Sequence, residues 1–133
     1  MFLKKMILSL ALILVSTALL GQTTSAATEE KLEDYEVVKT LNVEASAFTA
    51  NCSGCGGKTA YGIDLKKNPD IKLIAVDPKV IPLGTKVWVE GYGIAIAGDT
   101  GGSIKGNKID IFVKTKTIAY NWGRKKVEIK ILK

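Results

Sequence analysis

A chain of 133 residues with 19 basic and 13 acidic side chains has a formal charge of +6, and it contains no histidine. That absence excludes Ser-His and Cys-His catalysis and the commonest transition-metal ligand, so acid–base chemistry falls to carboxylates. The basic excess is spread along the chain rather than gathered in a stripe, which suits an anionic cell envelope and argues against a nucleic-acid partner.

In chain order, MFLKK supplies a positive start, MILSLALILVSTALLG an apolar run, and Ser25-Ala26-Ala27 or Thr24-Ser25-Ala26 a small-residue cleavage pattern. Residues 1–27 therefore read as a Sec-type signal peptide. The run is broken by Ser9, Ser16 and Thr17 and meets no basic stop-transfer cluster, so no stable membrane insertion is expected after cleavage. Loss of Lys4 and Lys5 with the signal leaves 106 residues and a charge of +4, room for one small domain. Residues 28–40 form a polar leader whose TEEKLEDYEVV carries five acids. The domain is expected over 41–133.

LNVEASAFTA (41–50) alternates as a strand, and the glycine-rich NCSGCGGKTAYG follows as a loop. Its Cys52 and Cys55 lack the further Cys or His that a zinc site needs. The glycines around them read as a turn, not as the helix start of a redox CxxC. A small-loop disulfide or a pair of thiols stiffening the turn is the expectation. KLIAVDP is a strand stopped by Asp77-Pro78, and a turn at Pro82-Leu83-Gly84 leads to a strand over Lys86–Glu90. Gly91-Tyr92-Gly93 turns the chain into a strand over Ile94–Ala97, and KIDIFV and VEIKIL are two more, rich in β-branched residues. Thr115–Trp122 reads as the one helix, closed by Gly123. Six short strands and one short helix predict a mainly β, compact barrel.

Three aspartates stand at or inside these apolar strands, where aspartate is disfavoured: Asp77, Asp99 and Asp110. Each has a structural alternative. Asp77 can cap a turn before Pro78, Asp99 can accept backbone N–H bonds from Thr100 to Gly102, and Asp110 can face solvent. Gly98, Gly101 and Gly102 flank Asp99 with backbone that a ligand can approach closely. A carboxyl group against apolar walls and a second carboxylate stays protonated nearer neutral pH, as a general acid requires. Asp99-Thr100-Gly101 also matches the DTG of aspartic proteases, but such a site pairs two triplets and this chain has one.

AVDPKVIPLGTKVWVEGYG followed by AGDTGGSIKGNKIDIF resembles the three-aspartate (3D) domain of exported Gram-positive cell-wall proteins. That domain is related to the barrel of membrane-bound lytic transglycosylase A and of stationary-phase survival and resuscitation-type wall proteins. TAYGIDL and the late NWG agree, and the resemblance runs from about Val43 to Leu132.

It implies a six-stranded double-psi β-barrel that binds peptidoglycan glycan strands and cuts the MurNAc–GlcNAc bond without metal or cofactor. The location it implies is secreted or cell-wall, outside a Gram-positive cell. Asp110 matches the family's single acid/base, and Asp99 would hold its protonation and orientation. Asp77 would bind sugar or support the cleft wall, Thr59 and Tyr61 are sugar-contact candidates, and Thr100, Gly101 and Gly102 would let a glycan lie against backbone. Lys105 and Lys108 read as solvated, and Trp88 and Trp122 as packing groups. The chain shows no N-terminal wall-binding repeats, and CSGC falls near the expected cleft mouth. The rival expectation is a non-catalytic, expansin-like polysaccharide-binding module.

Overall fold

The computed structural model describes residues 29–51 and 56–133; the expected signal peptide and the Cys52/Cys55 pair lie outside the described residues. Six strands, β1 (Val37–Phe48), β2 (Leu73–Ala75), β3 (Lys86–Val89), β4 (Gly93–Asp99), β5 (Lys108–Phe112) and β6 (Lys125–Leu132), close into a barrel in the order β1-β5-β2-β4-β3-β6. One helix, α1 (Lys116–Trp122), joins β5 to β6. The Thr115 hydroxyl accepts from the Ile118 N–H at 3.2 Å as its N-cap, and Gly123 ends it at φ 69°, a left-handed value suited to glycine.

β1–β5 and β2–β4 run parallel, and the other four pairings are antiparallel. Replacing every strand by the one three places later reproduces both the order and the two parallel pairs. This approximate two-fold relation between β1–β3 and β4–β6 is that of two interlocked psi loops, and the fold is a double-psi barrel.

Alternation decides what each strand buries. Val43 and Ala45 of β1, Ile74 of β2, Val87 and Val89 of β3, Ala95 and Ala97 of β4, Ile109 and Ile111 of β5, and Val127 and Ile129 of β6 fill the interior. Complete burial of one such valine or isoleucine is worth about 1.5–3 kcal/mol, so the barrel is held by its filling rather than by its surface ion pairs. On the opposite face a second cluster forms. Leu65, Leu73 and Phe112 pack with Phe48, Ile63, Ile71 and Ile96, under the β1–β2 connection. Tyr92 joins the parts: its hydroxyl donates to the Phe112 carbonyl at 2.6 Å and accepts the Leu73 N–H at 3.1 Å. Burial pushes that phenol up to about 12, so it stays a donor at neutral pH.

The strand limits differ from expectation chiefly at the start. β1 begins at Val37, inside the expected leader, because β-branched Val37 reaches Leu132 of β6. Paired Glu36 and Lys133 backbones carry the ladder one step further. Upstream, Leu32–Asp34 make a single 3-10 turn, and Glu30 forms an ion pair with Lys86. Among the described residues no helix is long and apolar enough to cross a membrane.

The β2–β4 ladder contains a bulge. Ile74 pairs with Ala97 but Ala75 pairs with Asp99, so Gly98 is the extra residue. A β-bulge re-aims the side chains that follow it. A Cβ at Gly98 would stand 2.5 Å from Leu73 Cδ1, a contact that only glycine avoids. Gly98→Ala is therefore expected to lower unfolding free energy by about 1–3 kcal/mol in urea denaturation. An unchanged midpoint would show that Leu73 repacks freely.

Candidate functional site

Barrel register sets four side chains in one transverse row. Ser46 of β1 pairs with Asp110 of β5, Asp110 with Ala75 of β2, and Ala75 with Asp99 of β4. Directly opposed residues point to the same face. Ala45, Ile109 and Ile111 point inward, so the row lies on the outer face beside the Phe48–Phe112 cluster.

Asp110 lines a polar groove of about 380 Å³ with Glu44, Ser46, Ser103, Ile104, Lys108 and Arg124. The Ser46 hydroxyl donates to Asp110 Oδ1 at 3.1 Å. Oδ2 takes no hydrogen bond from any described residue. Burial raises the Asp110 proton affinity above the ordinary carboxylate value, the Ser46 bond and the Arg124 charge oppose this, and repulsion from Asp99 adds to it. A half-buried carboxyl group with one oxygen fixed, one free and a raised pKa can both give and take a proton. A larger depression of about 520 Å³ beside Tyr92, Lys86 and Glu30 has no such group: its Glu30 is held below the ordinary value by Lys86.

Asp99 is in the same row but is not a hydrogen-bond partner of Asp110. Two strand spacings, about 9.5 Å, separate their backbones. Asp99 Oδ1 accepts the Ala60 N–H at 3.0 Å and its neighbour Thr100 N–H at 2.9 Å. Asp99 borders a separate hollow of about 150 Å³ with Phe48, Thr49, Gly56 and Gly57. The residue in contact with Asp110 is Ser46, and the influence of Asp99 is the last and smallest of the four.

Asp77 is nearly buried, and both its oxygens are used. Oδ1 accepts the Lys79 N–H at 3.0 Å and Oδ2 the Gly106 N–H at 2.9 Å. The Gly106 bond, then the Lys79 bond, holds its carboxyl below the ordinary range despite burial. Asp77 thus clips the β4–β5 loop to the turn after β2, and so holds one wall of the Asp110 groove. Thr59 is also structural here: its hydroxyl accepts the Ile63 N–H at 3.1 Å within a tight turn.

Tyr61 is 53% exposed; its N–H donates to the Gly98 carbonyl, and its ring lies over Gly84, where a Cβ would stand 2.9 Å from the hydroxyl. Thr100 and Gly102 are exposed, and open space surrounds a Cβ built on Gly102. A Cβ at Gly101 would meet Ile104 at 2.9 Å, so that glycine serves loop packing. Lys105 and Lys108 are exposed. Trp122 packs edge-on against Tyr92, as a packing group does.

Glu44, Ser46 and Arg124 were not singled out by sequence. The signal for the first two was present: Asn42, Glu44 and Ser46 are the polar half of an alternating strand and so share its outer face. Arg124 carried none, since its position depends on β6 pairing with β1 across most of the chain.

Residues 72–133 match the family model described as "3D domain". The chain is 64% identical over 94 residues to "Putative cell wall shaping protein YabE" of Bacillus subtilis strain 168, covering 71% of this chain and 23% of that protein. It is 60% identical over 110 residues to "Cell wall-binding protein YocH" of the same organism, covering 83% of this chain and 38% of that one. The chain thus spans well under half the length of these relatives. Among solved structures, the crystal structure of MltA from E. coli overlays with a TM-score of 0.46 at 25% identity, over 57% of this chain and 27% of that chain.

Two outcomes follow from the Asp110 environment. Ser46→Ala removes a bond that favours the ionised form, so the Asp110 carboxyl should titrate at higher pH, read by ¹³C NMR of that group. A lower or unchanged midpoint would remove Ser46 from the site. A raised folded-state pKa means the native protein loses stability as pH rises from the unfolded value through the folded one. Asp110→Asn should therefore resist urea better than the wild type at pH 7, with the gain vanishing toward pH 3, where both side chains are neutral.

Proposed function

Because the chain carries a 3D domain, we propose that it acts on peptidoglycan at the outer side of a cell envelope as a lytic transglycosylase, with Asp110 as the single acid/base. The observation that carries this reading is the state of Asp110: raised proton affinity, Oδ1 held by Ser46, and a position in an outward polar groove of about 380 Å³. The relatives' names, cell wall shaping and cell wall-binding, agree with the substrate class.

In this mechanism, protonated Asp110 gives its proton to the bridging oxygen between the muramoyl and glucosaminyl sugars. The C1–O bond breaks, the muramoyl C6 hydroxyl closes onto C1, and its proton passes to the Asp110 carboxylate. The proton account balances, the donor is regenerated, and the product is a 1,6-anhydro sugar with no water consumed. Ser46 stabilises the ionised half of the cycle. Asp77 positions the β4–β5 loop, and Asp99 holds the segment leading to Tyr61 through the Ala60 N–H. Tyr61 and the open backbone at Gly102 are the proposed sugar contacts. Residues 1–27 act as the export signal in this reading, and 41–133 form the domain with β1 extended back to Val37.

The name of the cell wall-binding relative favours a second reading, a module that holds glycan without turnover. Incubation of the purified protein with sacculi, followed by mass spectrometry of released muropeptides, separates the two. Anhydro products that fall at least about 100-fold in Asp110→Asn support the transglycosylase. Reducing-end products would mean a hydrolase, and sacculus binding without product would mean the module.

A further inference from the structure

Beside the Asp110 row lies a second transverse row whose charges the proposed chemistry does not use. Glu44 of β1 pairs with Lys108 of β5 on one side and with Lys126 of β6 on the other. All three lie on the outer face, since Val43, Ile109 and Val127 point into the core. Arg124 reaches Glu44 from beyond the end of β6 at 3.8 Å, and Lys108 Nζ stands at the same 3.8 Å. Neither distance is a hydrogen bond. One carboxylate therefore has two cations at long range, neither held tightly, and a third, Lys126, as its register partner on β6. The Lys108 and Arg124 side chains remain 46% and 70% exposed, so they are available to a ligand.

The row stands two residues along β5 from Asp110, about 6.8 Å at strand rise, the scale of one sugar in a glycan strand. Glu44, Lys108 and Arg124 also line the groove that contains Asp110. A neutral saccharide has no use for a surplus of positive charge at that position, whereas a carboxylate there would offer Lys108, Lys126 and Arg124 the close acceptor that Glu44 does not.

We propose that Lys108, Arg124 and Lys126 form a subsite for a carboxylate substituent of the glycan, so that the groove selects strands whose muramoyl lactyl groups are free over strands whose lactyl groups are amide-linked to peptide. This rests on the glycan reading above but not on turnover. Phosphate of wall polyol polymers shares the charge; the glycan's own carboxylate is favoured because Lys108 and Arg124 line the same groove as the acid, one sugar away, with Lys126 on the strand beside them.

The test uses strands of matched length, with peptides enzymatically removed or retained. Because Arg124 also acts on Asp110, the discriminating variant is Lys108→Gln/Lys126→Gln. Binding is measured in an Asp110→Asn background, which reports the subsite whether or not the wild type turns over. Peptide-free strands should bind about tenfold more tightly than peptide-bearing ones, a charge-assisted contact discounted for exposure. The double variant, which keeps only Arg124 of the three cations, should cut that preference at least about threefold while leaving affinity for peptide-bearing strands within about twofold. Where turnover is seen, the loss should appear in KM rather than kcat. Equal binding of the two strands, or equal loss on both in the variant, would overturn the subsite. So would displacement of the peptide-free strand by glycerol-phosphate polymer but not by excess free muramic acid, which would reassign the cations to phosphate. Discrimination in binding with no anhydro product would sink the catalytic reading and leave the subsite standing.

Discussion

Closing a six-stranded sheet on itself dictates which residues of distant strands share a row, and here that dictation turns on Gly98. One extra residue in β4 lets Asp99, rather than its neighbour, oppose Ala75 and so places it on the outer face. Ala97 then continues the interior alternation without a carboxylate following it into the barrel. A buried unpaired carboxylate would be far more costly than the conformational freedom lost at one glycine. The backbone that results also supplies the Val76 N–H to Asp99 O contact that keeps β2 and β4 together beyond the bulge.

The three aspartates, similar in sequence context, are separated by environment into three kinds of group. Asp77 is buried yet acidic, because two backbone N–H donors outweigh burial. Asp110 is half-buried and less acidic, because burial outweighs one hydroxyl donor and a more distant guanidinium. Asp99 spends an oxygen on two N–H groups of the loops on either side of it. The count of donors, not depth alone, divides a carboxylate held ionised from one whose proton affinity is raised.

Much of this was legible in the chain. Alternation gave the strands within a few residues, Thr115 and Gly123 bracketed the helix, and the apolar surroundings of Asp110 pointed to a raised proton affinity. The start of β1 was masked by the acids around it: Glu29 to Glu36 look like solvated leader, and only pairing with Leu132 makes Val37 a strand residue. The resemblance implied that Asp99 holds the protonation and orientation of Asp110; in the barrel β2 lies between their strands, and the hydrogen bond to Asp110 comes from Ser46. Local alternation put Glu44 and Ser46 on the outer face of β1, but that Ser46 meets Asp110, and that Glu44 and Arg124 share its groove, depends on pairings between distant strands. Residue types could mark the acid; only topology could name its neighbours.

The order of strands has a consequence for when the groove can exist. The Ser46–Asp110 bond spans 64 residues. β3–β4 is the sole tight hairpin among the six pairings, and β1 waits for both β5 and β6. Long-range pairing of this kind folds slowly, on the scale of milliseconds to seconds for all-β domains. Until β1 and β2 have paired with β5, Asp110 has neither its burial nor its Ser46 bond, and only then does Arg124, just before β6, add its charge. The raised proton affinity of Asp110 is thus a property of the paired barrel, and a chain caught part-way carries the residues of the groove without it.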